Sequence, residues 1–260
     1  MKKLTLTNRK DQKIVGEVEL PERKPVGTCI VQHGHGSSMR AAQQIAMKDA
    51  FLEKGFVVFS FDVTNSLGES DGKFEDARLG LFCEDLEDVI AWAKQQDWYV
   101  GPLALTGHSM GGHSVAIYAE KHFDEVAYCA AIAPVISGKL IHEVLDPGML
   151  EGWEESGWYI SESPLKPGFI GRSPWEVMIE YKDHDLLPFA ENLTMPTLLV
   201  VGGRDHIIPV KHIQKLFDAI PEGKKKLVVL ESAGHTYHTE EHLISLKKEI
   251  KNWLQGRLQQ

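Results

Sequence analysis

Short apolar runs recur along the chain, and longer segments with helical periodicity separate them. The run FVVFSFD at 56–62 is apolar at nearly every position, which is typical of a strand buried on both faces. The following segment, 79–96, places Phe82, Leu86 and Ile90 on one face of a helix. The pattern therefore predicts buried strands that alternate with amphipathic helices.

This alternation extends from residue 27 to the end of the chain. Two earlier strands, around Leu4 and Ile14, are separated by a polar stretch and predict an opening hairpin. We predict buried strands over 27–33, 56–62, 101–107, 126–135, 197–203 and 225–231, and helices over 40–54, 79–96, 110–122, 210–219 and 240–256. Because buried parallel strands need helices on both faces, the order indicates an α/β fold with a mostly parallel central sheet.

Residues 137–190 interrupt the alternation, since they contain no clear buried strand. The segment is rich in prolines and aromatic residues, namely Pro147, Pro164, Pro167 and Pro174 with Trp153, Trp158, Tyr159, Phe169, Trp175 and Tyr181. A long ordered insertion in a compact domain is usually functional. We predict a small helical cap over 137–190, inserted before the late strands of a core formed by 1–136 and 191–260. A surface excursion that only adds core area is the alternative, and an exposed aromatic cap would also allow a homodimer.

Composition and charge limit the partners of the chain. The sequence has 260 residues, 43% of them hydrophobic, and a net charge of −9, as expected of a globular protein that builds its own core. An acidic chain attracts neither nucleic acid nor anionic lipid without a basic patch. The short run Lys224–Lys226 is interpreted as a solvated turn. We therefore expect a small-molecule partner and no nucleic acid.

The cysteines and the first residues bear on the compartment. Cys29, Cys83 and Cys129 are odd in number and widely spaced, so we expect free thiols and neither a disulfide framework nor a Cys-x-x-Cys metal pair. The start, MKKLTLTNRKDQK, lacks the apolar stretch of a signal peptide, and no apolar run is long enough to span a membrane. We expect a cytoplasmic protein.

Two stretches fit the pattern Gly-x-Ser-x-Gly, GHSMG at 107–111 and GESDG at 68–72. Ser109 lies between a predicted strand and a predicted helix, in the strand–turn–helix setting that exposes a nucleophilic serine. Ser70 lies in a polar stretch well beyond its strand, where Gly and Asp favour a turn. The context therefore predicts Ser109 as the nucleophile.

A serine nucleophile needs a base that a third group orients, and in parallel sheets of this kind the chain order is serine, acid, histidine. Asp205 directly follows the predicted strand 197–203, and His235 follows the strand 225–231. We predict that both reach Ser109 at the carboxyl edge of the sheet. Other acidic and imidazole side chains occur nearby and are interpreted as solvated polar residues: Asp183, Asp185, His206, Glu231, His238 and His242.

Backbone amides should stabilise the oxyanion that forms on the substrate. We predict the amides of Met110, the residue after the nucleophile, and His35, in the loop HGHGSS at 33–38. The pair His33-x-His35 is a weak alternative as a metal site, because no third ligand is evident. The remaining histidines near these motifs are interpreted as packing or surface residues, namely His108, His113 and His122. No cofactor and no metal is expected.

Four motifs in this order resemble an α/β-hydrolase: HGHGSS, GHSMGG, GGRDHIIP and AGHTYH. The resemblance covers the chain from about residue 27 to its end. It implies the triad Ser109, Asp205 and His235 and a cap at 137–190.

Within that superfamily, ESDGKFED at 69–76 is similar to a segment of the cinnamoyl and feruloyl esterases of gut bacteria. Two features depart from the superfamily pattern. The loop FDVTNSLGES at 61–70 has no Arg-Gly pair and is longer, and His35 stands where a bulky apolar residue is usual.

We therefore expect a serine-dependent carboxylic-ester hydrolase that works through an acyl-enzyme. The aromatic cap and the esterase-like segment favour a small aromatic, cinnamoyl- or feruloyl-like acyl group, or a short-to-medium acyl chain. A thioesterase, an amidase or a hydrolase of carbon–carbon bonds would use the same machinery. A serine argues against dehalogenase or epoxide chemistry, which uses aspartate. A non-catalytic receptor or scaffold is the third possibility.

Overall fold

An eight-stranded sheet forms the centre of the computed structural model, which describes residues 1–163, 166 and 168–258. The described residues form ten strands: β1 (Lys2–Thr7), β2 (Lys13–Glu19), β3 (Gly27–Gln32), β4 (Phe56–Asp62), β5 (Leu103–His108), β6 (Val126–Ile132), β7 (Trp158–Glu162), β8 (Ile170–Pro174), β9 (Thr197–Gly202) and β10 (Lys225–Leu230).

The strand order in the central sheet is β1-β2-β4-β3-β5-β6-β9-β10. The first hairpin joins antiparallel to β4, and the pairs from β4 to β10 are all parallel. The carboxyl ends of β5, β9 and β10 therefore meet at one edge of the sheet, where ligands bind in open α/β folds. The expected mostly parallel α/β architecture is confirmed.

Helices cover both faces of the sheet. The described helices are α1 (Ala42–Glu53), α2 (Leu79–Ala93), α3 (Met110–Lys121), α4 (Gly138–His142), α5 (Pro147–Ser156), α6 (Glu176–Tyr181), α7 (Val210–Ala219) and α8 (Glu240–Leu258). Buried residues of α1 and α8 share one core, whereas those of α2, α3 and α7 share the other. Along β4, Phe56 and Val58 enter the first core, and Val57, Phe59 and Phe61 enter the second. The uninterrupted apolar run follows from burial on both faces.

The predicted and observed ends of the core elements differ by only a few residues. The largest difference among the strands is at β6, which ends at Ile132 although the apolar run continues to Val135. Ala133 has φ +43°, and its amide donates to Val200 O at 2.7 Å. The chain therefore leaves the sheet at this residue while its side chains remain buried.

The cap segment, residues 137–190, contains α4, α5 and α6 and also the antiparallel hairpin β7–β8. The sequence did not indicate this hairpin, because most of its side chains are exposed and give no apolar alternation. A 3₁₀ helix at Leu187–Asn192 returns the chain to the core. Of the prolines in the segment, Pro164 and Pro167 lie outside the described residues.

The two ends of the cap segment are joined at the core. The amide of Leu186 donates to Ile136 O at 2.9 Å, and the amide of Gly138 donates to His184 O at 3.1 Å. Glu180 of α6 accepts hydrogen bonds from the amides of Leu79 and Gly80, at the start of α2. Its negative charge lies where the dipole of α2 favours it. The cap segment is therefore attached to the core by backbone hydrogen bonds at its two ends and by the side chain of Glu180.

None of the helices in the described part of the chain is long and apolar enough to cross a membrane. The homodimer and the cytoplasmic location stay predictions.

Glu120 on α3 is a buried carboxyl group, only 2% exposed. Neither of its carboxyl oxygens has a hydrogen-bond partner among the residues that the structure describes. Burial raises the pKa of Glu120 from 4.5 to about 8, and the negative charge of Asp185 adds to the shift. The folded protein thus holds a proton that the unfolded chain releases near pH 4.5.

The stabilising contribution of Glu120 should therefore be lost as pH rises from about 5 to about 8, since over this window the folded state keeps the Glu120 proton and the unfolded state does not. We expect Glu120→Gln to raise the free energy of unfolding at pH 8.5 by roughly 2–4 kcal/mol and to change it little at pH 4.5. Urea unfolding at a series of pH values measures this difference. Glu154→Gln, an exposed substitution in the cap segment, is the control, and identical pH profiles for wild type and Glu120→Gln would contradict the prediction.

Candidate functional site

Ser109 occupies a sharp turn between β5 and α3. Its backbone has φ +56° and ψ −118°, a conformation that L-residues rarely adopt. Its amide donates to Ile132 O at 2.9 Å, and its carbonyl accepts from the amide of His113 in the first turn of α3. The surrounding backbone thus holds the strained residue, and the serine lies at the helix N-terminus.

Glycines beside this turn allow three backbone segments to approach one another. A Cβ on Gly107 would lie 2.3 Å from Gly111 O, and a Cβ on Gly111 would lie 2.4 Å from Gln32 O. A Cβ on Gly34 would lie 2.9 Å from the Cβ of Ser109 itself. Because real Cβ atoms do not approach other atoms this closely, glycine is required at these positions.

Asp205 lies just past the end of β9 and is 5% exposed. Its Oδ1 accepts hydrogen bonds from the amides of Ile207 at 2.9 Å and Ile208 at 2.7 Å. These two bonds fix the carboxylate and leave Oδ2 to face His235.

His235 lies in the loop after β10 and connects the other two side chains. Its Nδ1 is 2.7 Å from Oδ2 of Asp205, and its Nε2 is 3.0 Å from Oγ of Ser109. The loops of the acid and the base also contact each other, since the amide of Arg204 donates to Ala233 O at 2.9 Å. The structure therefore brings together the three side chains that the sequence placed 96 and 30 positions apart along the chain.

His108, expected to be a packing or surface residue, is buried against the base. Its Nε2–H donates to the carbonyl of His235 at 2.8 Å, and the two ring centroids are 4.8 Å apart. Burial, together with the neighbouring His235, lowers the pKa of His108 to about 3. His108 therefore stays neutral and holds the loop of the base. Its place at the buried end of β5, next to Ser109, is the sequence signal that could have identified it.

Tyr237 is a second residue of the site that sequence reasoning did not identify. It is fully buried, has φ +50°, and lies 6.1 Å from the His108 ring, edge to face. Its ring anchors the loop two residues beyond His235.

The loop after β3 lies against the nucleophile through Gly34. Neither the amide of His35 nor that of Met110 donates a hydrogen bond within the described part of the chain. Free amides beside a nucleophile are the groups that an oxyanion requires.

His33 has both ring nitrogens in use, which argues against the metal pair His33-x-His35. Its Nδ1–H donates to Gly34 O at 2.8 Å, and its Nε2 accepts from the amide of Val63 at 3.0 Å. Burial lowers the pKa of His33 against the opposing effect of Asp62. With both nitrogens in hydrogen bonds, His33 is a neutral structural residue that fixes the loop.

Ser70, in the second Gly-x-Ser-x-Gly stretch, has a structural role. Its Oγ donates to Asp62 O at 2.5 Å and accepts from the amide of Val15 at 2.8 Å. In the same loop Gly72 has φ +103°, as a turn requires. This loop is folded onto β2 and β4, and its serine is engaged by backbone groups.

The other acidic and imidazole side chains near the motifs make local contacts. Asp185 accepts from the amide of Leu187, His238 bonds to Thr236, and His242 bonds to Ser232. Asp183 and His206 are exposed, and Glu231 follows the end of β10.

The aromatic residues of the cap segment divide into two groups. Trp153 packs against Tyr159 at 5.1 Å and Trp175 at 5.7 Å, and its Nε1–H donates to Ser173 O. These three rings pack on one another and belong to the same hydrophobic core as α2, α3 and α7. Phe169, in contrast, contacts Phe74 at 5.4 Å, and Phe74 contacts His35 at 4.6 Å.

These last three residues form an aromatic row, His35–Phe74–Phe169, that links the loop after β3 to the cap. Burial lowers the pKa of His35 to about 4, so its ring is neutral in the row. A cavity of about 360 Å³ begins at the next residue, Gly36, and is lined further by Ser37, Arg40, Leu67 and Lys166. The loop carrying the free His35 amide thus borders both an aromatic surface and an open space.

Comparison with known proteins is consistent with this geometry. The family described as serine aminopeptidase, S33, matches residues 23–186 and 181–242. A monoacylglycerol lipase of Mycolicibacterium smegmatis is 25% identical over an alignment of 271 positions. The alignment covers 95% of this chain and 94% of that protein. The mitochondrial palmitoyl-protein thioesterase ABHD10 of Mus musculus is 24% identical over 78% of this chain and 66% of its own length.

Solved structures share the same fold. Est1E from Butyrivibrio proteoclasticus, with ferulic acid bound, has a TM-score of 0.81 at 20% identity and covers 99% of this chain and 100% of its own. The mouse ABHD10 structure has a TM-score of 0.79 at 20% identity and covers 98% of this chain and 99% of its own. Because the family matches most of the sequence and these structures share its architecture, the chain belongs to the serine aminopeptidase, S33, family and is an α/β-hydrolase, a serine-dependent hydrolytic enzyme.

Proposed function

We propose that the protein is a carboxylic-ester hydrolase whose catalytic triad is Ser109, His235 and Asp205. The observation that carries this proposal is the continuous pair of contacts from Oγ of Ser109 to His235 and from His235 to Asp205, at 3.0 and 2.7 Å. A hydroxyl is a weak nucleophile at neutral pH, and an imidazole within hydrogen-bond distance is the base that activates it. The fixed carboxylate of Asp205 holds the ring with Nε2 toward the serine.

In the acylation step, Oγ of Ser109 attacks the ester carbonyl while Nε2 of His235 takes the hydroxyl proton. The imidazolium then gives this proton to the departing alcohol, and the acyl group remains on the serine. In the second half, His235 takes a proton from water, the hydroxide attacks the acyl carbon, and the acid leaves with Ser109 reprotonated. Asp205 stays ionised throughout and stabilises the imidazolium.

The amides of Met110 and His35 form the oxyanion hole in this proposal. Support comes from the close approach of Gly34 to Ser109 and from the absence of acceptors for both amides within the described residues. Each such donor contributes about 3–4 kcal/mol to transition-state stabilisation where it has been measured.

The proposed substrate is an ester of a small aromatic, cinnamoyl- or feruloyl-like acid, or of a short-to-medium acyl chain. One observation supports a small aromatic group: the half-buried rings of Phe74 and Phe169 lie beside the loop of His35. Phe74 belongs to the esterase-like segment 69–76, and the similar Est1E binds ferulic acid. We do not assign an acyl contact to the rings of Trp153, Tyr159 and Trp175, because they pack on one another.

A thioesterase is the second candidate. ABHD10, named as a palmitoyl-protein thioesterase, is similar to this chain both in sequence and in structure. The triad acts on either bond, since an S-acyl carbonyl is attacked in the same way. Comparing kcat/KM for the O-ester and the S-ester of one acyl group separates the two functions.

Ser109→Ala should abolish labelling by a fluorophosphonate probe and lower p-nitrophenyl ester hydrolysis by at least about 10³-fold, because the nucleophile is lost. In-gel fluorescence and initial rates measure these effects. Ser70→Ala is the matched control from the second Gly-x-Ser-x-Gly stretch and should still label. Labelling of Ser109→Ala at the wild-type level would refute the assignment.

Asp205→Asn should leave the fold intact and lower kcat by about 10²–10⁴-fold, because an amide neither stabilises the imidazolium nor fixes the reactive tautomer. Steady-state kinetics together with circular dichroism test this. Asp183→Asn, an exposed carboxylate near the end of the cap segment, should retain the wild-type rate. The opposite outcome, full activity in Asp205→Asn, would show that another group orients the base.

Phe74→Leu should lower kcat/KM for a feruloyl ester by about 3–10-fold relative to a butyryl ester, since ring-on-ring contacts contribute roughly 0.5–1.5 kcal/mol beyond their area. Phe123→Leu, at a ring that is 50% exposed, is the control and should change neither rate. An equal loss for both esters would count against aromatic recognition by Phe74 while leaving the triad untouched.

A further inference from the structure

Three side chains with metal-binding chemistry come together where α2 and α3 meet the cap segment, although they lie far apart in sequence. Cys83 comes from α2, His113 from α3, and His184 from the turn after α6 in the cap segment. One ligand atom from each lies within 4.8 Å of the other two. Because the spacing follows no local metal-binding motif, this cluster could not be predicted from the sequence.

His113 provides a buried nitrogen without a hydrogen-bond partner. Its Nδ1–H donates to Val135 O at 2.8 Å, which leaves Nε2 with a free lone pair. The residue is fully buried, and Nε2 has no hydrogen-bond partner among the described residues. Most buried polar atoms in folded proteins have a hydrogen-bond partner, a bound water molecule or an ion. A backbone carbonyl on the opposite ring nitrogen is also the usual partner of a metal-bound histidine.

The other two side chains are only partly buried and can adjust. The Sγ of Cys83 lies 3.6 Å from Oγ of Ser114, at hydrogen-bond distance for a sulfur donor. The Nε2 of His184 lies 3.4 Å from a carboxylate oxygen of Glu180. Carboxylates commonly orient metal-bound histidines through the ring nitrogen that does not hold the metal, so Nδ1 of His184 would be the ligand atom. The charge of Glu180 lowers the cost of placing a cation here.

We propose that Cys83, His113 and His184 bind a divalent metal ion with the ligand preferences of zinc. Thiolate sulfur and imidazole nitrogen are usual protein ligands of zinc, and at a site with three protein ligands a water molecule would take the fourth position. Tetrahedral zinc, at about 2.0–2.3 Å from each ligand, holds its ligand atoms roughly 3.3–3.7 Å apart. The cluster must therefore close by about 1 Å, through rotation of the half-buried Cys83 and His184 toward the fixed His113.

Binding involves no redox change. The Cys83 thiol releases its proton to solvent as the sulfur–metal bond forms, and both imidazoles bind through neutral nitrogens. The metal would connect His184 of the cap segment to α2 and α3 of the core. His113 lies in the first turn of α3, where its amide bonds to Ser109 O, so the ion would stabilise the helix that begins at the nucleophile and would not enter the triad.

In the test, the full chain is freed of metal, its cysteines are kept reduced, and it is titrated with zinc in competition with a chromophoric chelator. We expect one tight site per chain, and a thiolate-to-metal charge-transfer absorption when cobalt(II) replaces zinc. Cys83→Ser should abolish this absorption and weaken zinc binding by at least about tenfold, since losing even an outer partner of a metal site costs about 10–100-fold. His184→Ala, at a half-buried residue, should weaken binding similarly while the circular dichroism spectrum stays unchanged.

His122→Asn is the matched control, because His122 follows the last turn of the same helix and stacks on Tyr118 outside the cluster. It should bind zinc as the wild type does. A measurement on the wild type alone gives a second readout: zinc should slow alkylation of Cys83, followed by mass spectrometry of the labelled peptide. Absence of a tight site, or undiminished zinc affinity in Cys83→Ser, would overturn the proposal. Neither readout depends on hydrolysis, so a failure of the metal-site proposal and a failure of the esterase proposal are distinguishable.

Discussion

The strained backbone of Ser109 is the constraint on which the rest of the site depends. A residue with φ +56° is unfavourable by itself and persists only where its surroundings fix it. Here the glycines at 34, 107 and 111 let the strand ends and the first turn of α3 approach at distances that a Cβ would forbid. The hydroxyl is thereby directed away from the sheet, toward the loop that carries His235.

Burial gives the histidines around the nucleophile different roles. His33 and His108 are buried, which lowers their pKa values and leaves them neutral hydrogen-bonding residues. His235 instead has a carboxylate on one nitrogen and the serine on the other. Neutral neighbours place no permanent positive charge beside the imidazolium that forms during the proposed reaction. In that reaction only His235 takes up and releases the proton.

The cap segment is connected to the core by polar contacts as well as packing. Glu180 binds the first amides of α2, the chain ends of the segment pair near Ile136, and Phe169 meets the row of Phe74 and His35. A movement of the cap segment would therefore also shift the proposed oxyanion loop, which carries His35, through these aromatic contacts. The proposed metal ligands Cys83, His113 and His184 lie at another part of the same boundary.

The sequence by itself determined the alternation of buried strands and helices, and the places of Ser109, Asp205 and His235 after their strands, because two-face burial and glycine-rich turns leave local patterns. The tertiary structure alone decided the rest. The β7–β8 hairpin has mostly exposed side chains and therefore no apolar alternation to mark it, and His108 shows its contact with His235 only when β5 and the loop after β10 come together. The cluster of Cys83, His113 and His184 joins three elements whose proximity no local spacing encodes, since side chains from distant segments meet only through packing.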